Sequence, residues 1–144
     1  MHKNVVYMMI ASFIVQYYAM PAIMTDNIGN VTNSLGKIYL SVIMALMMGL
    51  LEVFMPMGHS PHHSIYIMVM VLAVLLIVFV YIYRNQKGIN DANYLSEMIE
   101  HHSMAILTSK KIVKKTRNPA IKKLARQIIA KQKEEIDKMR KIHS

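Results

Sequence analysis

The sequence predicts an all-α membrane protein, with three transmembrane helices followed by an antiparallel soluble helical hairpin. Two observations carry this reading. First, charge is segregated along the 144 residues. Residues 1–83 hold only Lys3, Lys37, Asp26 and Glu52, which cancel, so the formal charge of +9 sits entirely in the remainder. A water-soluble globular domain mixes charge along its length, whereas this division separates a lipid part from a water part. Second, apolar residues form unbroken runs before position 84 and recur every three or four residues after position 91, which marks buried spans and then amphipathic helices. The predicted organisation is a transmembrane domain at 1–83, a linker at 84–90 and a hairpin domain at 91–144.

The first span is Val5–Met24, a charge-free run interrupted by Ser12, Gln16 and Pro21. It is long enough to cross a hydrocarbon core, which favours a membrane helix over a cleaved signal peptide with Lys3 as its basic start. Thr25–Lys37 is rich in Asn, Gly, Ser and Asp and reads as a loop. The second span runs from Ile38 to Phe54 or Met57 and carries Glu52 near its end. Pro56, Gly58 and Pro61 break it. The third, Ser64–Tyr83, has no charge and many β-branched residues. In lipid the backbone must satisfy its own hydrogen bonds, so even this composition forms a helix. Tyr81 and Tyr83 sit at an interfacial position, followed at once by Arg84 and Lys87.

In the hairpin, Leu95, Met98, Ile99, Ala105, Ile106, Ile112 and Val113 share one helical face. Asn118-Pro119 marks a new start, with Asn as cap and Pro at the first helical position. Ile121, Leu124, Ala125, Ile128, Ile136, Met139 and Ile142 form the inward face of the second helix. So short a connection makes the two helices antiparallel. Two helices bury too little alone, which predicts a homo-oligomer. The basic residues after the third span place the hairpin in the cytosol and the N-terminus and 55–63 loop outside.

His102 lies on the apolar face of the first hairpin helix, between Met98 and Ile106. His101 is beside it, one turn after Glu97 and one before Met104. With the turn at 117–118, His102 comes level with Lys133, where Gln132 and Ile136 face inward and Glu135 stands at the edge. Buried polar groups need partners, and two readings supply them. Either His102 and Gln132 hydrogen-bond each other, or the group is a metal site of His101, His102, Met98, Met104, Gln132, Glu135 and Met139. Imidazole suits Cu, Zn, Fe and Ni, and thioether favours Cu(I). Adjacent histidines on a helix point about 100° apart, so both cannot chelate one ion in the usual i, i+4 manner. A secondary candidate is Met55, Met57, His59, His62 and His63, read either as packing plus a polar turn or as a metal entry path with Met44, Met48 and Glu52 leading to it.

The segment from Tyr94 to Ile112 and that from Asn118 to Met139 together resemble the DUF305 family. The resemblance rests on Met98-Ile99-x-His101-His102 and Gln132-x-x-Glu135-Ile136-x-x-Met139 over residues 91–142. Asp26-Asn27-Ile28-Gly29-Asn30-Val31 and the Met-rich second span look like a membrane-anchored branch of that family. The resemblance implies a ferritin-like helical domain, and some soluble relatives bind copper or silver outside the cytoplasm. Two features depart from that pattern: this hairpin is very basic, and its charge places it inside. Basic charge repels free cations, which argues against storage of many ions.

The absence of Cys excludes disulfides, thiolate metal sites and cysteine nucleophiles. No phosphate loop, nucleophile elbow, HExxH or full Glu-x-x-His set is present, so no enzyme is expected. The expected function is binding of a soft transition metal, copper foremost, in tolerance, sensing or delivery. One alternative is a structural oligomer-forming component of a membrane lattice or virion membrane, with histidines that only pack. Another is binding of anionic lipid or nucleic acid by Lys110, Lys111, Lys114, Lys115, Lys122 and Lys123, which crowd the hairpin tip on a face expected to lie away from the bilayer.

Overall fold

A computed structural model describes residues 2–55 and 63–143. Every long element in it is a helix: α1 (His2–Ile14), α2 (Met20–Met24), α3 (Leu35–Phe54), α4 (His63–Arg84), α5 (Asp91–Lys115) and α6 (Pro119–His143). A π-helical turn at Val15–Ala19 joins α1 to α2, and a single 3-10 turn spans Ile28–Asn30. The π turn ends two residues before Pro21, whose ring has no N–H to give a preceding carbonyl. Widening one turn accommodates that loss without ending the helix.

Three helical stretches are long and apolar enough to cross a membrane: Lys3–Met24, Leu35–Phe54 and His63–Arg84. They match the three expected spans within a few residues at each end. Their apolar surfaces make contact with a lipid bilayer the natural environment.

The chain packs as two compact units, Met1–Ala19 with Leu35–Gly88, and Met20–Ser34 with Ile89–Ser144. In the first, α1, α3 and α4 enclose Val5, Leu46, Val53, Ile65 and Leu72. Gly49 lets α3 approach α1 closely: a Cβ there would stand 2.9 Å from Met9 Cγ and Sδ. Lys37 is buried, with its ammonium 5.0 Å from the Tyr17 ring centroid. After α4 the chain turns through Gly88 at φ +74°, where Lys87 accepts a hydrogen bond from the Tyr39 hydroxyl.

In the second unit, α5 and α6 are the expected antiparallel pair. Asn90 caps α5 by accepting from the Asn93 amide at 2.8 Å, and Asn118 caps α6 by accepting from the Ala120 amide at 2.9 Å. Asp91 at the start of α5 and Lys114 and Lys115 at its end complement the helix dipole. The core is Ile99, Ile106 and Ile136, with Ile129 and Met139 packed against it. Ile121, Leu124 and Ile142, read from sequence as inward-facing, are instead exposed, while Ala125 is buried. A small side chain at 125 and Ile129 one turn later hold the contact line, leaving its flanks open.

The sequence divides the chain at residue 83, but the segment 20–34 packs with the hairpin. The reason is hydrogen bonding: the polar groups of this loop find their partners on α5.

Candidate functional site

α5 presents two working faces, and the first holds His102. Its Nδ1 lies 2.7 Å from the Met98 carbonyl oxygen. A carbonyl only accepts, so Nδ1 carries a proton and donates it. Nε2 is thereby directed at α6, 3.1 Å from Glu135 Oε2. The two side chains are 14% and 34% exposed, partly withdrawn from water but reachable. The other Glu135 oxygen, Oε1, is 3.9 Å from Lys131 Nζ. Nε2 therefore has two compatible states: protonated and donating to the carboxylate, or bare and sharing a cation with it.

The turn position puts His102 level with Lys133, and the residue that faces the imidazole is Glu135, two positions further along and read as an edge residue, in place of the inward-facing Gln132. Gln132 is half-buried on α6, three residues before Glu135. Met98 contributes its carbonyl, and its side chain and that of Met104 are half-buried. Met139 is drawn into the Ile99–Ile106–Ile136 cluster. His101 is exposed, so the two adjacent histidines do not converge. Met57, His59 and His62 lie outside the described residues. Met55 is exposed, and His63 is exposed at the first turn of α4.

Two ligands on a tetrahedral ion at ordinary bond lengths stand about 3.3 Å apart. The 3.1 Å between Nε2 and Oε2 fits one edge of such a site. The hydrogen bond from Nδ1 to a carbonyl is the arrangement that orients ligating histidines. Among the described residues no group of three His, Cys, Asp or Glu side chains converges. Further donors would therefore come from thioether or amide groups, or from water.

The second face of α5 was not foreseen as a site. Ser96, Glu100, Ser103 and Lys110 make a polar stripe at helical spacing, and the 25–34 segment lies along it. Thr32 donates its amide to Glu100 Oε2 at 2.9 Å and its hydroxyl to the Ser96 carbonyl at 2.6 Å. Ser103 Oγ accepts from the Asn30 side-chain amide at 3.0 Å and from the Asp26 amide at 3.1 Å. Asp26 then pairs with Lys110 at 2.6 Å, and Arg140 of α6 donates to the Asn30 side-chain oxygen Oδ1. Glu100 and Ser103 are both buried. Among the described residues, no buried side-chain nitrogen or oxygen lacks a partner. The sequence signal was available in the spacing of 96, 100 and 103 and in the Asp26–Val31 run.

On the outer face of α6, Lys138 hydrogen-bonds Glu134 and holds its carboxyl below the usual carboxylate range. The same contact raises Lys138 above the usual lysine value. Both groups are solvent-exposed, so the pair is structurally minor.

The family model described as "Domain of unknown function (DUF305)" matches residues 85–143, both helices of the hairpin. The "Uncharacterized protein L153" of Acanthamoeba polyphaga mimivirus is 36% identical over 141 residues, covering 98% of this chain and 91% of that protein. No solved structure matches the chain. Likeness of that degree takes in the apolar helices and the 25–34 segment as well as the hairpin. With the family model covering α5 and α6 and that relative covering nearly everything else, the chain belongs to the DUF305 family.

Proposed function

We propose that this membrane protein binds a single soft or borderline transition-metal ion, copper foremost, at His102 and Glu135. The observation that carries this reading is the oriented imidazole. Nδ1 is committed to the Met98 carbonyl, and Nε2 faces a carboxylate at 3.1 Å. Imidazole nitrogen and one carboxylate oxygen form a borderline donor pair, and nearby thioethers extend it towards Cu(I). Met98, Met104, Gln132 and Met139 are the nearest reserves on the two helices, with His101 able to serve a neighbouring copy. Coordination needs an unprotonated imidazole nitrogen and an ionised carboxylate, so binding weakens as pH falls. The role is non-enzymatic: sensing, delivery or tolerance. The hairpin faces the cytosol, as its basic residues favour, and the protein self-associates.

The test uses full-length protein purified without a His tag in mild detergent and titrated with Cu(I), Cu(II) and Zn(II) against a competing chelator. His102→Ala and Glu135→Gln should each weaken binding about tenfold or more, the usual size for removal of a ligand or its support. His101→Ala should bind as the unaltered chain does. Retention of full affinity by His102→Ala, or no binding tighter than roughly micromolar in the unaltered chain, would leave His102–Glu135 as a packing contact. A second reading, a structural component of a virion membrane, is favoured by one observation: the relative of nearly equal length comes from a virus.

A further inference from the structure

A groove of about 420 Å³ opens beside the 25–34 segment in the hairpin unit. Leu107, Val113 and Ile129 form its apolar floor, and Lys110, Lys111 and Lys114 form its rim. Asp26 also lines it, but its carboxylate is engaged by Lys110 at 2.6 Å. Lys111 and Lys114 are exposed, so the rim presents positive charge over a greasy base. That combination suits an amphiphile with an anionic head.

The position of Asp26 supplies the second, independent argument. The first candidate span ends at Met24, and Asp26 follows two residues later. Met20–Met24, Asp26 and α5 belong to one compact unit. The Asp26–Lys110 ion pair therefore ties this part of α5 to the residues that directly follow the first candidate span.

We propose that Lys111 and Lys114, with Lys110 beside them, bind the headgroup of an acidic phospholipid in the adjoining leaflet. The glycerol and upper acyl region rest on Leu107, Val113 and Ile129. Charge complementarity selects the anionic lipid, and the apolar floor selects a lipid over a free phosphate or a nucleic acid, whose backbone offers nothing for it. This site is independent of the His102–Glu135 metal reading and survives its failure.

The test is lipid retention by full-length protein in detergent, read by native mass spectrometry with phosphatidylglycerol, phosphatidylserine or phosphatidylcholine added. Lys111→Gln/Lys114→Gln should lower acidic-lipid affinity about thirtyfold, since each basic residue near a membrane contributes about 1 kcal/mol. Lys122→Gln/Lys123→Gln removes equal charge outside the groove and should change it less than about twofold. Circular dichroism checks that both variants keep their helices. Equal losses in the two variants would reduce the effect to net charge and overturn the site. So would equal retention of phosphatidylcholine, or displacement of the acidic lipid by a single-stranded oligonucleotide at matched salt.

Discussion

Ser103 shows how much a single small residue settles. Its oxygen is fully buried and accepts from both Asn30 and Asp26, so it fastens the inter-span segment to α5. Ser103→Ala would strand the Asn30 side-chain amide in a water-poor contact, while the Asp26 amide keeps the Ser103 backbone carbonyl at 3.2 Å, a cost of about 1–3 kcal/mol. Hydrogen exchange should show faster opening of residues 25–34, while the α5–α6 core keeps its protection; unchanged exchange would refute the role of the hydroxyl. Glu134 offers a contrast. Its depressed carboxyl contributes stability only above the ordinary carboxylate value and loses it as pH falls through the lowered one. Raised Lys138 contributes below the ordinary lysine value and loses it as pH rises through the raised one. Because both side chains are exposed, Glu134→Gln should leave the melting temperature nearly unchanged at neutral pH. The neighbourhood of His102 was legible to within two residues, because an antiparallel register follows from the turn position, but the register pointed to Lys133 and Gln132 and the partner is Glu135. The role of Ser103 was not, since its partners lie 73 and 77 residues away.

At the scale of elements, the sequence was most legible where local chemistry decides. Asn118-Pro119 starts α6 as expected, and the three apolar runs form helices. Periodicity was less reliable for which side chains are inside. Leu124 and Ile121 have the right spacing but remain exposed, because two helices have only one contact line and Ala125 and Ile129 occupy it. The π turn before Pro21 was invisible, since only the conflict between a proline and a continuing span produces it. Gly49 makes the α1–α3 contact a sensitive place. Gly49→Ala should be absorbed by movement of the flexible Met9 side chain. Gly49→Leu should separate the helices at a cost of about 1–3 kcal/mol, typical of overpacking. A lower thermal midpoint in detergent for the leucine variant alone would bear this out, and equal midpoints would count against close α1–α3 packing.

At the scale of the whole molecule, the boundary drawn from charge and the boundary drawn from packing differ. Charge reports which segments tolerate lipid, whereas packing reports which polar groups find partners, and residues 25–34 are polar enough to need the hairpin. Two candidate spans separate this segment from α5, so docking of one on the other requires both on the same side of a membrane, which two crossings would provide. With no native cysteine, Arg117→Cys and Ser60→Cys test the orientation. An impermeant thiol reagent on intact cells should label Ser60→Cys and spare Arg117→Cys, and the reverse would place the hairpin outside. Self-association is expected as well, and a monomeric mass at every concentration in mild detergent would oppose it.

The most direct test of the metal reading is X-ray absorption on the copper-loaded full-length protein. Imidazole scattering should be present in the unaltered chain and in His101→Ala, and lost in His102→Ala. An imidazole signal that persists unchanged in His102→Ala would contradict a metal site at His102 and Glu135.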